Sequence, residues 1–133
     1  MSEKRKVDEL FDLTGHVAVI TGAGRGIGEG IAVAMSEAGA SVVVAARRTE
    51  EIERVANEIN DNGGQALAVT TDVTDDSALE NLAEVAVKHF GSLTDWVNNA
   101  GGSPLRMPVV ELPREEWDKT ICLLYTSPSP RDS

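Results

Sequence analysis

The chain has 133 residues, 41% of them hydrophobic, enough for one packed domain. Acidic residues outnumber basic ones by 22 to 12, and the formal charge of −10 repels polyanions, which argues against nucleic-acid and membrane-surface partners. No apolar stretch approaches the roughly 18 residues of a membrane span, no signal-peptide core follows Met1, and the single Cys122 supplies neither a disulfide framework nor a zinc set.

The expectation is therefore a cytoplasmic chain with no metal. Met1 to Thr14 is a polar lead-in with Leu10, Phe11 and Leu13 as apolar anchors, and Lys4-Arg5-Lys6 reads as a solvated basic cluster. Residues 15–121 carry the pattern of a single domain. Val17 to Thr21 is a continuous apolar run with β-branched residues, as expected of a strand buried on both faces. A glycine-rich stretch, Thr21-Gly22-Ala23-Gly24-Arg25-Gly26-Ile27-Gly28, links it to a helical pattern over Ile27 to Ala38. That pattern places Ile27, Ile31, Ala34, Met35 and Ala38 on one face and stops at Gly39.

Ser41 to Ala46 reads as a second buried strand. Thr49 suits the N-cap of a second helix, with Glu50 and Glu51 at its positive end and Ile52, Val55, Ala56 and Ile59 on its apolar face. The turn Asn60 to Gly64 follows, then a third strand over Ala66 to Thr70 and the segment Thr71-Asp72-Val73. Thr74 is the predicted cap of a third helix, with Asp75 and Asp76 in its first turn and Leu79, Leu82, Ala83, Ala86 and Phe90 facing inward. A fourth strand about Trp96-Val97-Asn98 enters the turn Asn99-Ala100-Gly101-Gly102. After a proline-containing loop, a short helix is expected near Pro113, carrying Glu115, Glu116 and Trp117. Strands alternating with helices predict parallel βαβ units and an α/β, doubly wound sheet, ending after about four strands. Strand four is then expected to expose one face, an aggregation template that predicts a poorly soluble, partly molten chain.

A buried strand feeding a glycine turn into a helix N-terminus suits a phosphate, because backbone N–H groups approach the anion closely and the helix dipole adds partial positive charge. The spacing is TGxxxGxG, and no frame satisfies GxGxxG, since Ile27 or Glu29 falls at the third glycine. Alone, such a turn serves equally as an ordinary tight turn. About twenty residues on, at the end of strand two, dinucleotide folds place the group that reads the adenosine ribose. An acid there favours NAD. This chain has Ala45-Ala46-Arg47-Arg48 instead, and a guanidinium pairs with a 2′-phosphate, so Arg47, with Arg25 in reach, favours NADP. Asp72 at a strand end can accept from an adenine amino group with Val73 against the ring, or can serve as a helix-entry residue. Asn98-Asn99-Ala100-Gly101 lets a flat group lie against backbone, or makes an Asn-Gly-type turn. His16, His89, Trp96 and Trp117 read as structural or exposed.

Together, TGxxxGxG, Asp72-Val73 and Asn98-Asn99-Ala100-Gly101, in this order and spacing, resemble the classical short-chain dehydrogenase/reductase family from Leu13 to about Ile121. The resemblance implies a Rossmann-type sheet and hydride transfer between NADP(H) or NAD(H) and an alcohol or carbonyl, in a homotetramer or dimer. It matches Gly22, Arg25, Gly26, Ile27, Gly28, Arg47, Asp72, Val73, Asn99, Ala100 and Gly101 to cofactor-contact positions, and Asn98 to a position that supports the sheet. It also exposes departures. The family's catalytic asparagine would fall at Leu124, and its serine and Tyr-x-x-x-Lys pair are absent, Tyr125 being followed four positions later by Ser129. No catalytic residue is assigned, and the chain is expected to be inactive. The alternative is a non-catalytic nucleotide-binding module. Cys122 to Asp132 also resembles, codon for codon, the translated transposase adapter of sequencing libraries, so residues 122–133 are expected to be a non-native tail.

Overall fold

The computed structural model describes residues 12–99 and the strand at 105–108. Four strands, β1 (Val17–Thr21), β2 (Ser41–Ala46), β3 (Gln65–Thr70) and β4 (Asp95–Asn98), pair in parallel, and β5 (Leu105–Pro108) runs antiparallel to β4. The sheet order is β3-β2-β1-β4-β5. Helices α1 (Gly26–Glu37), α2 (Thr49–Asp61) and α3 (Asp76–Phe90) connect the parallel strands. This is the Rossmann-type doubly wound order, with the strand order reversing between the parallel neighbours β1 and β4.

The alternation of side chains along each strand sorts the core into two layers. Ala18, Ile20, Val42, Val44 and Val97 meet Ala32 and Met35 of α1 and Ile52, Val55, Ala56 and Ile59 of α2. On the other face, Val19, Val43, Ala45 and Trp96 meet Leu79, Leu82, Ala83 and Ala86 of α3. Both faces being covered explains why β1 and β2 read as unbroken apolar runs rather than alternating ones. Leu13 packs against the first layer and its N–H donates to the Ala38 carbonyl, so the end of the lead-in is tied to the C-terminus of α1.

Several expectations are corrected. The buried face of α1 is Gly28, Ala32 and Met35; Ile27 is 62% exposed, Ala34 is also exposed, and Ile31 is half-buried. The helix is rotated because Gly28 must sit against the strand ends, as described below. Thr49 is the first helical residue, not the cap: Arg48 precedes the helix, and the Thr49 hydroxyl is taken by the Thr70 hydroxyl at 2.6 Å. Asp75, not Thr74, caps α3 by accepting from the Ser77 N–H, because the Thr74 hydroxyl donates to Asp72. The stretch expected to be a loop after β4 contains β5. Only residues 99–104 separate the two strands, too few for a parallel crossover of about a dozen residues, so the chain turns back. Strand β4 is therefore paired on both edges, with Trp96 fully buried and Val97 3% exposed, and the predicted bare face of strand four does not exist. The short helix expected near Pro113 lies outside the described residues.

Candidate functional site

Because β1 to β4 are parallel, their C-terminal ends share one edge, and the turns leaving Thr21, Ala46, Thr70 and Asn98 gather there. At the reversal between β1 and β4, open α/β sheets form a crevice for ligands. Here it is stitched by side chains. The Thr21 hydroxyl donates to Asn98 Oδ1 at 3.1 Å and accepts from the Asn99 N–H at 3.1 Å. Asn99 Nδ2 donates to the Gly22 carbonyl at 3.1 Å, and the Ala23 N–H reaches the Ala45 carbonyl.

The glycines of the turn have separate jobs. Gly22 and Gly26 adopt φ of 64° and 63°, the left-handed region in which a side chain is strained. A Cβ on Gly28 would run into the Gly22 carbonyl oxygen and lie 2.6 Å from Asn99 Nδ2, so only glycine lets α1 approach the strand ends this closely. Around Gly26 and Gly30, by contrast, there is open space. The first N–H groups of a helix lack intrahelical acceptors, so α1 turns its unsatisfied donors and dipole toward an open, glycine-lined edge. That arrangement fits a pyrophosphate.

Arg25 precedes α1 in extended backbone, and Arg25, Ile27 and Arg47 are all exposed at this edge. Among the described residues neither Arg25 nor Arg47 forms an ion pair, whereas Arg48 reaches Glu51 at 3.9 Å. Asp72 Oδ1 accepts from the Thr74 hydroxyl at 2.7 Å and the Thr74 N–H at 2.9 Å. These bonds, with a smaller contribution from the Arg47 charge, hold its carboxyl below the usual carboxylate range. Val73 is half-buried against the α3-side core. The structure thus brings Gly22, Arg25, Gly26, Ile27, Gly28, Arg47, Asp72, Val73 and Asn99 to one edge, while Ala100 and Gly101 lie outside the described residues.

Sequence reasoning missed one group at this edge, the Arg54 guanidinium with Glu29 and the Gly24 carbonyl. Glu29 stands one position beyond Gly28, but its partner comes from another helix, and no spacing in the chain announces that pairing.

The sequence model of the short chain dehydrogenase family matches residues 16–128, and the chain belongs to this family. It is 41% identical over 109 residues to an uncharacterised oxidoreductase of Staphylococcus aureus, covering 82% of this chain and 46% of that protein. It is 43% identical over 105 residues to the 7alpha-hydroxysteroid dehydrogenase of Escherichia coli, covering 77% of this chain and 41% of that protein. A solved 7alpha-hydroxysteroid dehydrogenase, complexed with NADH and 7-oxo glycochenodeoxycholic acid, matches 68% of this chain and 35% of its own, with 40% identity and a TM-score of 0.65. The chain spans less than half the length of these curated relatives. Among the described residues, no helix is long and apolar enough to cross a membrane.

Proposed function

We propose that this chain is the dinucleotide-binding half of an oxidoreductase that transfers hydride between NADP(H) and a small alcohol or carbonyl substrate. The pyrophosphate lies along Gly22, Arg25, Gly26, Ile27 and Gly28, facing the N–H groups of α1. Arg47 pairs with the 2′-phosphate from the end of β2, assisted by Arg25. Asp72 and Val73 flank the adenine, and Asn99, Ala100 and Gly101 border the nicotinamide-side ribose. When bound, the nicotinamide supplies or accepts the hydride; the residues of this chain hold and orient it. The 133 residues contain no Tyr-x-x-x-Lys pair to deliver a proton to a carbonyl oxygen, so this chain is expected to bind cofactor without turnover. In the full-length enzyme, homotetramers or dimers are expected.

The observation that carries the choice of NADP is the end of β2, where Ala46 is followed not by an acid but by Arg47, which is exposed and forms no ion pair among the described residues. Titration of the 133-residue chain with each cofactor tests it. NADP should bind about tenfold more tightly than NAD, the scale of one charge-assisted contact. Arg47→Asp should erase or reverse that ratio. An unchanged ratio in the variant removes Arg47 from the reading, and no binding of either cofactor removes the reading itself.

A further inference from the structure

Arg54 lies on α2, yet its guanidinium reaches across to the glycine turn. Nη2 donates to Glu29 Oε1 at 3.0 Å and to the Gly24 carbonyl at 3.3 Å, while Nη1 donates to Glu29 Oε2 at 3.3 Å and to Glu58 Oε1 at 3.1 Å. The Glu29 contact is a two-pronged fork, the geometry in which an arginine is hardest to replace by lysine. Gly24 also packs closely against α2, since a Cβ there would lie 2.9 Å from Glu51 Cβ. The turn is therefore clamped onto α2.

The electrostatics give the clamp a purpose. Glu29 sits in the first turn of α1, where the dipole attracts any anion, and its own carboxylate competes with a phosphate for that field. Hydrogen bonding to Arg54 holds the Glu29 carboxyl below its ordinary range, so it stays charged and needs a counter-charge. Arg54 supplies it from the α2 side.

We propose that Arg54 is a positioning residue for the dinucleotide. It fixes the Gly24 carbonyl and neutralises Glu29, leaving the N-terminus of α1 free to receive the pyrophosphate. This rests on the cofactor reading above. The test uses the 133-residue chain with two probes, ADP, which carries the pyrophosphate, and 2′-AMP, which does not. Arg54→Met should weaken ADP about tenfold, the scale of one charge at a helix end, with 2′-AMP affinity unchanged. Glu29→Gln should tighten ADP in the otherwise native chain and restore part of the loss in the Arg54→Met background. Arg54→Lys should fall between native and Arg54→Met. Equal losses for both probes, or a Glu29→Gln variant that binds ADP more weakly, would show Arg54 to be a structural strut alone and overturn the proposal. A native chain that binds 2′-AMP but not ADP overturns the pyrophosphate assignment and the role of Arg54 with it. A native chain that binds neither probe overturns the cofactor reading as a whole.

Discussion

Two glycines two positions apart in α1 show how differently the same residue type can be constrained. At Gly28 a Cβ would meet the Gly22 carbonyl oxygen and Asn99 Nδ2, neither of which can yield without unstitching β1 from β4. At Gly30 a Cβ would meet nothing within 4 Å. Gly28→Ala should therefore cost about 3 kcal/mol through overpacking against backbone and weaken nucleotide binding with it. Gly30→Ala should stabilise by about 1 kcal/mol, the helix-propensity difference between the two residues. Urea denaturation of both variants checks the pair, and similar midpoints for the two would contradict the geometry. The TGxxxGxG spacing made the turn legible in the sequence. It did not reveal which glycine answers to packing and which to backbone conformation, because the obstacles at Gly28 are the Gly22 carbonyl, brought close by the way the turn folds, and Asn99, far along the chain.

At the scale of elements, the sheet is pinned at both ends of the β1–β4 pair. Opposite the edge that carries the glycine turn, the Thr94 hydroxyl accepts from the Val17 N–H at 2.8 Å and donates to Asp95 Oδ1 at 2.6 Å. His16 Nδ1 lies 2.8 Å from the same oxygen, and the Asp95 side chain is 2% exposed. Thr94→Val removes a donor from a buried carboxylate and leaves the buried Val17 N–H without that acceptor, which should cost about 1–3 kcal/mol. Thr94→Ser keeps the hydroxyl and should stay within about 1 kcal/mol of native. Since this cluster is remote from the glycine turn, the affinity for NADP should hold in both variants wherever they are folded. Equal stability of Thr94→Val and the native chain, in denaturant midpoints, would dismiss the pin. The strands and helices themselves were legible because their hydrophobic periods are strong. The helix caps were not, since Thr49 and Thr74 are good cap residues whose hydroxyls are claimed by Thr70 and Asp72. At Thr49 the local preference lost to a residue of another strand, and at Thr74 to a carboxylate two positions before it.

For the molecule as a whole, the decisive departure from expectation is at β4. An open α/β sheet cut after its fourth strand should present a bare apolar edge, yet β5 folds back with Trp96 opposite Met107 and Val97 opposite Arg106. The alternation of strands and helices could not foretell this, because it is the shortness of the connection, not the hydrophobic pattern, that forces the antiparallel return. With Trp96 sealed under α3 and Val97 under the α1–α2 layer, the two halves of the core meet at this strand. Loss of β4 should thus empty both layers together, and unfolding should be cooperative. Trp117→Phe leaves Trp96 as the sole tryptophan reporter. Its emission should be that of a buried indole and should shift to longer wavelength in one sigmoidal step on heating, coincident with loss of helical circular dichroism. A gradual shift that precedes the loss of helix would mean that β4 is not held by both layers, and would return the chain to the partly molten state expected of an exposed fourth strand.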